Sequence, residues 1–196
     1  MLLQNLEMSL KVNRVISLVP NHETIKRLLA ALEGTKLEKK IKLARPETIH
    51  ATCIVWETKK GDAEPIDIDQ IDWKPLEQNK EFWGLHLAQF GVRLVLTIKS
   101  VGMERMRKPL EAALKGREYC PQFTPHIAVG KILIWKDIEE EIRKANEILG
   151  TRLRGLKGRF IKVSNAEIPY KMLQEKDING TESESEEAPP KVIQIE

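Results

Sequence analysis

The chain has 196 residues, 41% of them apolar and 31% charged, which suits one domain with or without an appendage and allows a buried core. No apolar run approaches the roughly 18–20 residues of a membrane span, and Met1 to Arg14 lacks the basic start and apolar stretch of a signal peptide. Two cysteines, Cys53 and Cys120, are too few for a disulfide framework or a multi-cysteine zinc site, so a reduced, cytoplasmic protein is expected. The net charge of +3 is unevenly spread: from Glu175 on, seven acids face two lysines, giving −5 over the last 22 residues and +8 over the preceding 174. A basic body favours anionic partners such as phosphate esters or nucleic acid.

Val12 to Val19 (VNRVISLV) is β-branched and apolar and reads as a strand ending at Pro20. Asn21 then caps a helix whose stripe is Ile25, Leu28, Leu29 and Leu32, with Gly34 as its stop. The basic connector KLEKKIKLARPE reads as a solvated face and leads to an apolar strand over Ile49 to Trp56. Gly61 to Asp72 is acidic and contains proline, predicting loop with a short edge strand. Val92 to Lys99 is the clearest strand, followed by a helix over Met103 to Lys115 in which Pro109 is expected to produce a kink. The β-rich run TPHIAVGKILIW comes next, then a helix from Asp137 to Leu149 and a strand over Arg159 to Asn165. These elements fill a domain over 1–174, and residues 175–196 form an acidic tail expected to be disordered.

The order repeats. A strand, a helix and a strand opening on a histidine occur twice, with 34 positions from Ile16 to His50 and 30 from Leu96 to His126. The expected fold is therefore α+β: two lobes related by a pseudo-twofold, with the two histidine strands near the axis. Side chains alternate along a strand, so His50 and Thr52 share a face, as do His126 and Ala128. An imidazole shuttles protons near neutral pH, and a hydroxyl two residues on donates to a phosphate oxygen. Two such strands side by side put an acid and a base on opposite sides of one phosphorus atom. Ligand-type residues nowhere show metal-site spacing, so no metal or cofactor is expected.

Tyr119 and Phe123 precede the second histidine strand and are the aromatics expected to contact a ligand, with base stacking contributing about 1–3 kcal/mol. Trp56 and Trp135 are assigned to the core. Cys53 reads as a small buried apolar residue, His22 as a surface residue, and His86 as a packed or partly exposed one.

The segments Ile49-His50-Ala51-Thr52-Cys53-Ile54 and Phe123-Thr124-Pro125-His126-Ile127-Ala128-Val129 together resemble the paired motifs of the 2H (two-histidine) phosphoesterases. The coarse resemblance spans about residues 12–165. It implies a bilobal fold of two antiparallel-sheet lobes with outer helices around a central cleft, and metal-independent cleavage of phosphodiesters. It assigns acid and base roles to His50 and His126 and a phosphate-binding role to Thr52. The Phe-x-Pro-His approach and the acidic C-terminal extension look most like the phage anti-CBASS cyclic-oligonucleotide nucleases, which would place the protein in a host cytoplasm. The alternatives are an RNA 2′,3′-cyclic phosphodiesterase or 2′-5′ RNA ligase-like enzyme, and a degraded member that binds and sequesters nucleotides. Ala128 departs from the pattern, which has Thr or Ser there. Losing such a donor costs about 10²–10³ in rate where it stabilises transition-state charge; Lys131 or a backbone amide is the candidate replacement.

Overall fold

In the computed structural model, residues 11–59, 66–117, 119, 124–168 and 171–178 are described. Eight strands form one antiparallel network: β1 (Lys11–Pro20), β2 (Ile41–Leu43), β3 (Ala51–Lys59), β4 (Glu81–Phe90), β5 (Arg93–Lys99), β6 (His126–Ile132), β7 (Lys157–Ile168) and β8 (Lys171–Asp177). Pairing divides them into two sets, β8-β7-β1-β3 and β4-β5-β6-β2. The sets meet at two joints. At one, Ala51 of β3 pairs with Ile127 of β6; at the other, the start of β7 pairs with Glu81 to Trp83 of β4. Two histidine-bearing strands thus come side by side at the junction of two lobes, as the repeat predicts.

Helices cover the outer side. In α1 (His22–Leu32) the buried residues Ile25, Leu28 and Leu32 follow the predicted stripe, and Gly34 after it has φ +76°. Asn21 caps differently from expectation: its side chain makes no cap bond and instead accepts from the backbone N–H of Arg159 at 3.3 Å, tying α1 to β7. After the short α2 (Lys74–Glu77), α3 (Val101–Ala113) runs through Pro109 and starts at Ser100, whose hydroxyl accepts from the N–H of Met103. The longer α4 (Ile138–Arg154) buries Ile142, Ala145, Leu149 and Leu153. None of the helices among the described residues is long and apolar enough to cross a membrane.

Four expectations need correction. The connector contains β2, which pairs with the far end of β6. The acidic stretch shows no strand among its described residues; Ile68–Gln70 is a 3₁₀ turn, closed by the Trp73 indole donating to the Ile68 carbonyl at 2.7 Å. The presumed tail starts too early, because Glu175 to Asp177 lie in β8, where Lys162 meets Glu175 at 3.1 Å and Gln174 holds the backbone N–H of Ile68; residues 179–196 lie outside the described ones. Trp135 is 47% exposed rather than in the core, since β6 has ended at Ile132 and the chain is turning towards α4. Trp56, by contrast, is buried at 1% exposure.

A whole strand, β4, is absent from the sequence reading, and the reason is a bulge. Gly84 pairs with Ile98 but Leu87 with Leu96, so β4 advances three residues against two. The extra residue breaks the period-two pattern that marks a strand. Asn146 of α4 repairs the gap, accepting from the Leu87 N–H at 2.7 Å and donating to its carbonyl at 2.8 Å.

Candidate active site

His50 immediately precedes β3 and His126 opens β6, and both rings are held by the same device. The Nδ1 of His50 lies 2.8 Å from the Thr48 carbonyl, and the Nδ1 of His126 lies 2.6 Å from the Thr124 carbonyl. A carbonyl only accepts, so each Nδ1 carries the proton and Nε2 is left as the nitrogen that exchanges protons. Two imidazoles in chain segments 76 residues apart share one tautomer and one local geometry. The Ala51–Ile127 pair fixes how they face one another. Continuing that register by one residue each way sets His50 beside Ala128 and Thr52 beside His126, so the two imidazoles are diagonal neighbours on one sheet face.

The hydroxyl row extends beyond the predicted pair. Thr52 pairs with Ser17 of β1, whose hydroxyl is 2.8 Å from that of Ser164. On the other side His126 pairs with Thr97 of β5, and the Thr97 hydroxyl meets the ring Nδ1 of His86 at 3.2 Å. A third histidine therefore stands on this face, two strands beyond His126, across β5. The β4 bulge that hid the strand also hid the direction of His86.

Beside His50 opens a cleft of about 540 Å³, lined by Lys42, Leu43, Arg45, Thr48, Arg93, Ala128, Gly130 and Lys131 among others. Lys131 reaches it through a second bulge. Val95 pairs with Ala128 and Arg93 with Lys131, so β6 advances three residues while β5 advances two. Ala128 and Lys131 thereby share a face despite their odd spacing. Phe90, at the end of β4, packs its ring on His126 with centroids 4.8 Å apart. The sequence does not single out Arg93, Lys42, Arg45 or Phe90; Lys42 and Arg45 carry a signal only as part of the basic connector.

Of the other predicted ligand contacts, Tyr119 is not brought to the histidines. Its backbone bridges Trp56 and its side chain packs on the core, six residues along β3 from His50, roughly 20 Å at strand spacing. Phe123 lies outside the described residues, as does Cys120. Cys53 is buried, and burial pushes its thiol pKa up, which leaves it inert at neutral pH. Among the described residues no three His, Cys, Asp or Glu side chains gather as a metal site would need.

The His50 pKa is lowered from its ordinary 6.5. Burial is the main cause, the charges of Arg93 and His126 add to it, and the Thr48 carbonyl opposes them. His50 is thus mostly neutral near pH 7 and suited to accept a proton. Because Arg93 disfavours the imidazolium, Arg93→Gln is expected to raise the His50 pKa. Any activity that needs neutral His50 then fails at a higher pH on acidification. Proton NMR titration of the two proteins reads this directly; an unchanged or lower midpoint in the variant would contradict it.

The fold is shared with solved structures. It matches TT0787 of Thermus thermophilus with a TM-score of 0.54 at 11% identity, covering 86% of this chain and 99% of that one. It also matches a protein described as a phosphoesterase with a TM-score of 0.51 at 8% identity, covering 85% and 98% respectively. LigT of E. coli, solved with ATP, gives 0.49 at 8% identity, covering 85% and 97%. No family model matches the sequence, and no curated protein does. The mixed α+β fold expected from the sequence is shown by the elements themselves and by the first two of these matches.

Proposed function

We propose that this chain is a two-histidine phosphodiesterase that needs no metal and acts on cyclic oligonucleotides. The observation that carries the reading is the pair of histidines on adjoining strands, each with Nδ1 locked on the carbonyl two residues earlier. In the proposed step, neutral His50 accepts the proton of the nucleophile, a ribose 2′-hydroxyl or water, through Nε2. The nucleophile's oxygen bonds to phosphorus as the bond to the departing oxygen breaks. Imidazolium His126 gives its Nε2 proton to that oxygen, so one proton enters the pair and one leaves. Thr52 donates to a non-bridging oxygen. At Ala128 the second hydroxyl donor is missing, and the cations lining the cleft make the field around the phosphorus positive.

An RNA 2′,3′-cyclic phosphodiesterase uses the same two histidines on a smaller substrate. Ala128 specifically favours a further reading, a member that holds nucleotides without turning them over. One experiment separates them: incubation with cyclic di- and trinucleotides and with 2′,3′-cyclic mononucleotides, with and without chelator, followed by chromatography. The expected result is catalytic turnover of the cyclic oligonucleotides, unaffected by chelator. Turnover of mononucleotides alone selects the RNA-type reading, stoichiometric retention selects the binding protein, and a strict requirement for added divalent metal rejects the mechanism.

A further inference from the structure

Three cations stand in a single row across three strands: Lys42 of β2 is paired with Lys131 of β6, and Lys131 is paired with Arg93 of β5. Adjacent strands are only about 4.8 Å apart, and like charges directly opposite one another destabilise a sheet. Arg45 lines the same cleft, and no lining residue is acidic. None of the four is paired with a carboxylate among the described residues. The main chain also brings the row together tightly: a Cβ on Gly130 would lie 2.8 Å from the Lys42 carbonyl oxygen, so only glycine lets β2 close on β6 there. Folding gains nothing from assembling these charges, and an anion in the cleft would neutralise them.

We infer that this row is a second anion subsite, which takes a phosphate of the substrate other than the one being cleaved. Its distance from His50 follows from the register. His50 lies beside Ala128, and the row lies two β5 positions further along, roughly 7 Å. That spacing is about one nucleotide along a strand. The substrate then carries at least two phosphates, as an oligonucleotide does and a 2′,3′-cyclic mononucleotide does not. The link between the row and a scissile phosphate rests on the proposed function; the anion-binding row itself does not.

Isothermal titration of inorganic pyrophosphate into the full chain carrying His126→Ala, which keeps the row and removes turnover, tests the subsite. Binding is expected, weakening about tenfold or more on adding Lys42→Gln and Lys131→Gln, and unaffected by Lys115→Gln near the end of α3. Titrating a linear 5′-phosphorylated dinucleotide and ATP separates an internucleotide phosphate from a terminal polyphosphate as the group held. Relief of repulsion predicts an equal or higher Tm for the double lysine variant; a marked fall shows the row to be structural and overturns the inference. Pyrophosphate affinity that ignores the two lysines also overturns it. If cyclic oligonucleotides are not cleaved yet pyrophosphate binding is lost with the lysines, the subsite stands and the proposed function fails. If they are cleaved and the lysine substitutions leave KM unchanged, the reverse holds.

Discussion

His126→Ala is expected to lower kcat on a cyclic dinucleotide by about 10²–10⁴-fold, the range for loss of a positioned general acid. His50→Ala is expected to fall in the same range. Both imidazoles are oriented before substrate arrives, through the Thr124 and Thr48 carbonyls, so neither has to be ordered during the reaction. In the proposed step the two act on one phosphorus atom, so the double variant is expected to be far less impaired than the product of the single losses. Steady-state kinetics on the three proteins, with KM and kcat resolved, check this. Retention of more than about a tenth of the wild-type rate by either single variant would remove that histidine from the chemistry. An unchanged KM alongside the lost kcat is the pattern of a group acting in the transition state rather than in binding.

Phe160→Ala is expected to destabilise the fold by about 3–5 kcal/mol, which for a chain of this size lowers Tm by about 6–20 °C. Strand β7 pairs with both sets, with β1 along most of its length and with β4 at its start. Phe160 is fully buried at that joint and stacks on Phe82, with centroids 4.7 Å apart and planes at 29°. Gly158 is pressed against the same ring, so the neighbours have little room to fill the cavity: a Cβ there would lie 2.4 Å from the Phe82 Cζ. A total stability of about 5–15 kcal/mol leaves little margin for such a loss. Thermal or urea unfolding measures it, and a Tm within 2 °C of wild type, roughly 1 kcal/mol, would show the joint to be dispensable.

The elements legible in the sequence were those whose burial follows one period. The stripe of α1, the apolar run of β5 and the strands opening at His50 and His126 each announce themselves locally. What escaped was placed by irregularity or by distant partners. β4 has an extra residue that shifts its alternation, and it is completed by Asn146 from another element. β8 is an edge strand of charged and polar residues, held by β7 and by contacts to residues 67–69. Among the described residues of the acidic stretch no edge strand forms, because its apolar residues, Ile66, Ile68 and Ile71, are buried in and beside a 3₁₀ turn; residues 61–65 lie outside the described ones.

The sequence by itself determined that two histidine strands exist, that each pairs its histidine with a fixed neighbour two residues on, and that the body is basic. These are properties of local pattern and composition, and they survive any arrangement of the elements. Only the tertiary structure decided that the imidazoles are diagonal neighbours, that His86 joins their face and that Tyr119 does not. It also decided that Lys42, Lys131 and Arg93 form one row. Each of these follows from register, and a single bulged residue turns a side chain from one face of a sheet to the other. Register is set by the sum of many distant pairings, which no stretch of the chain carries alone.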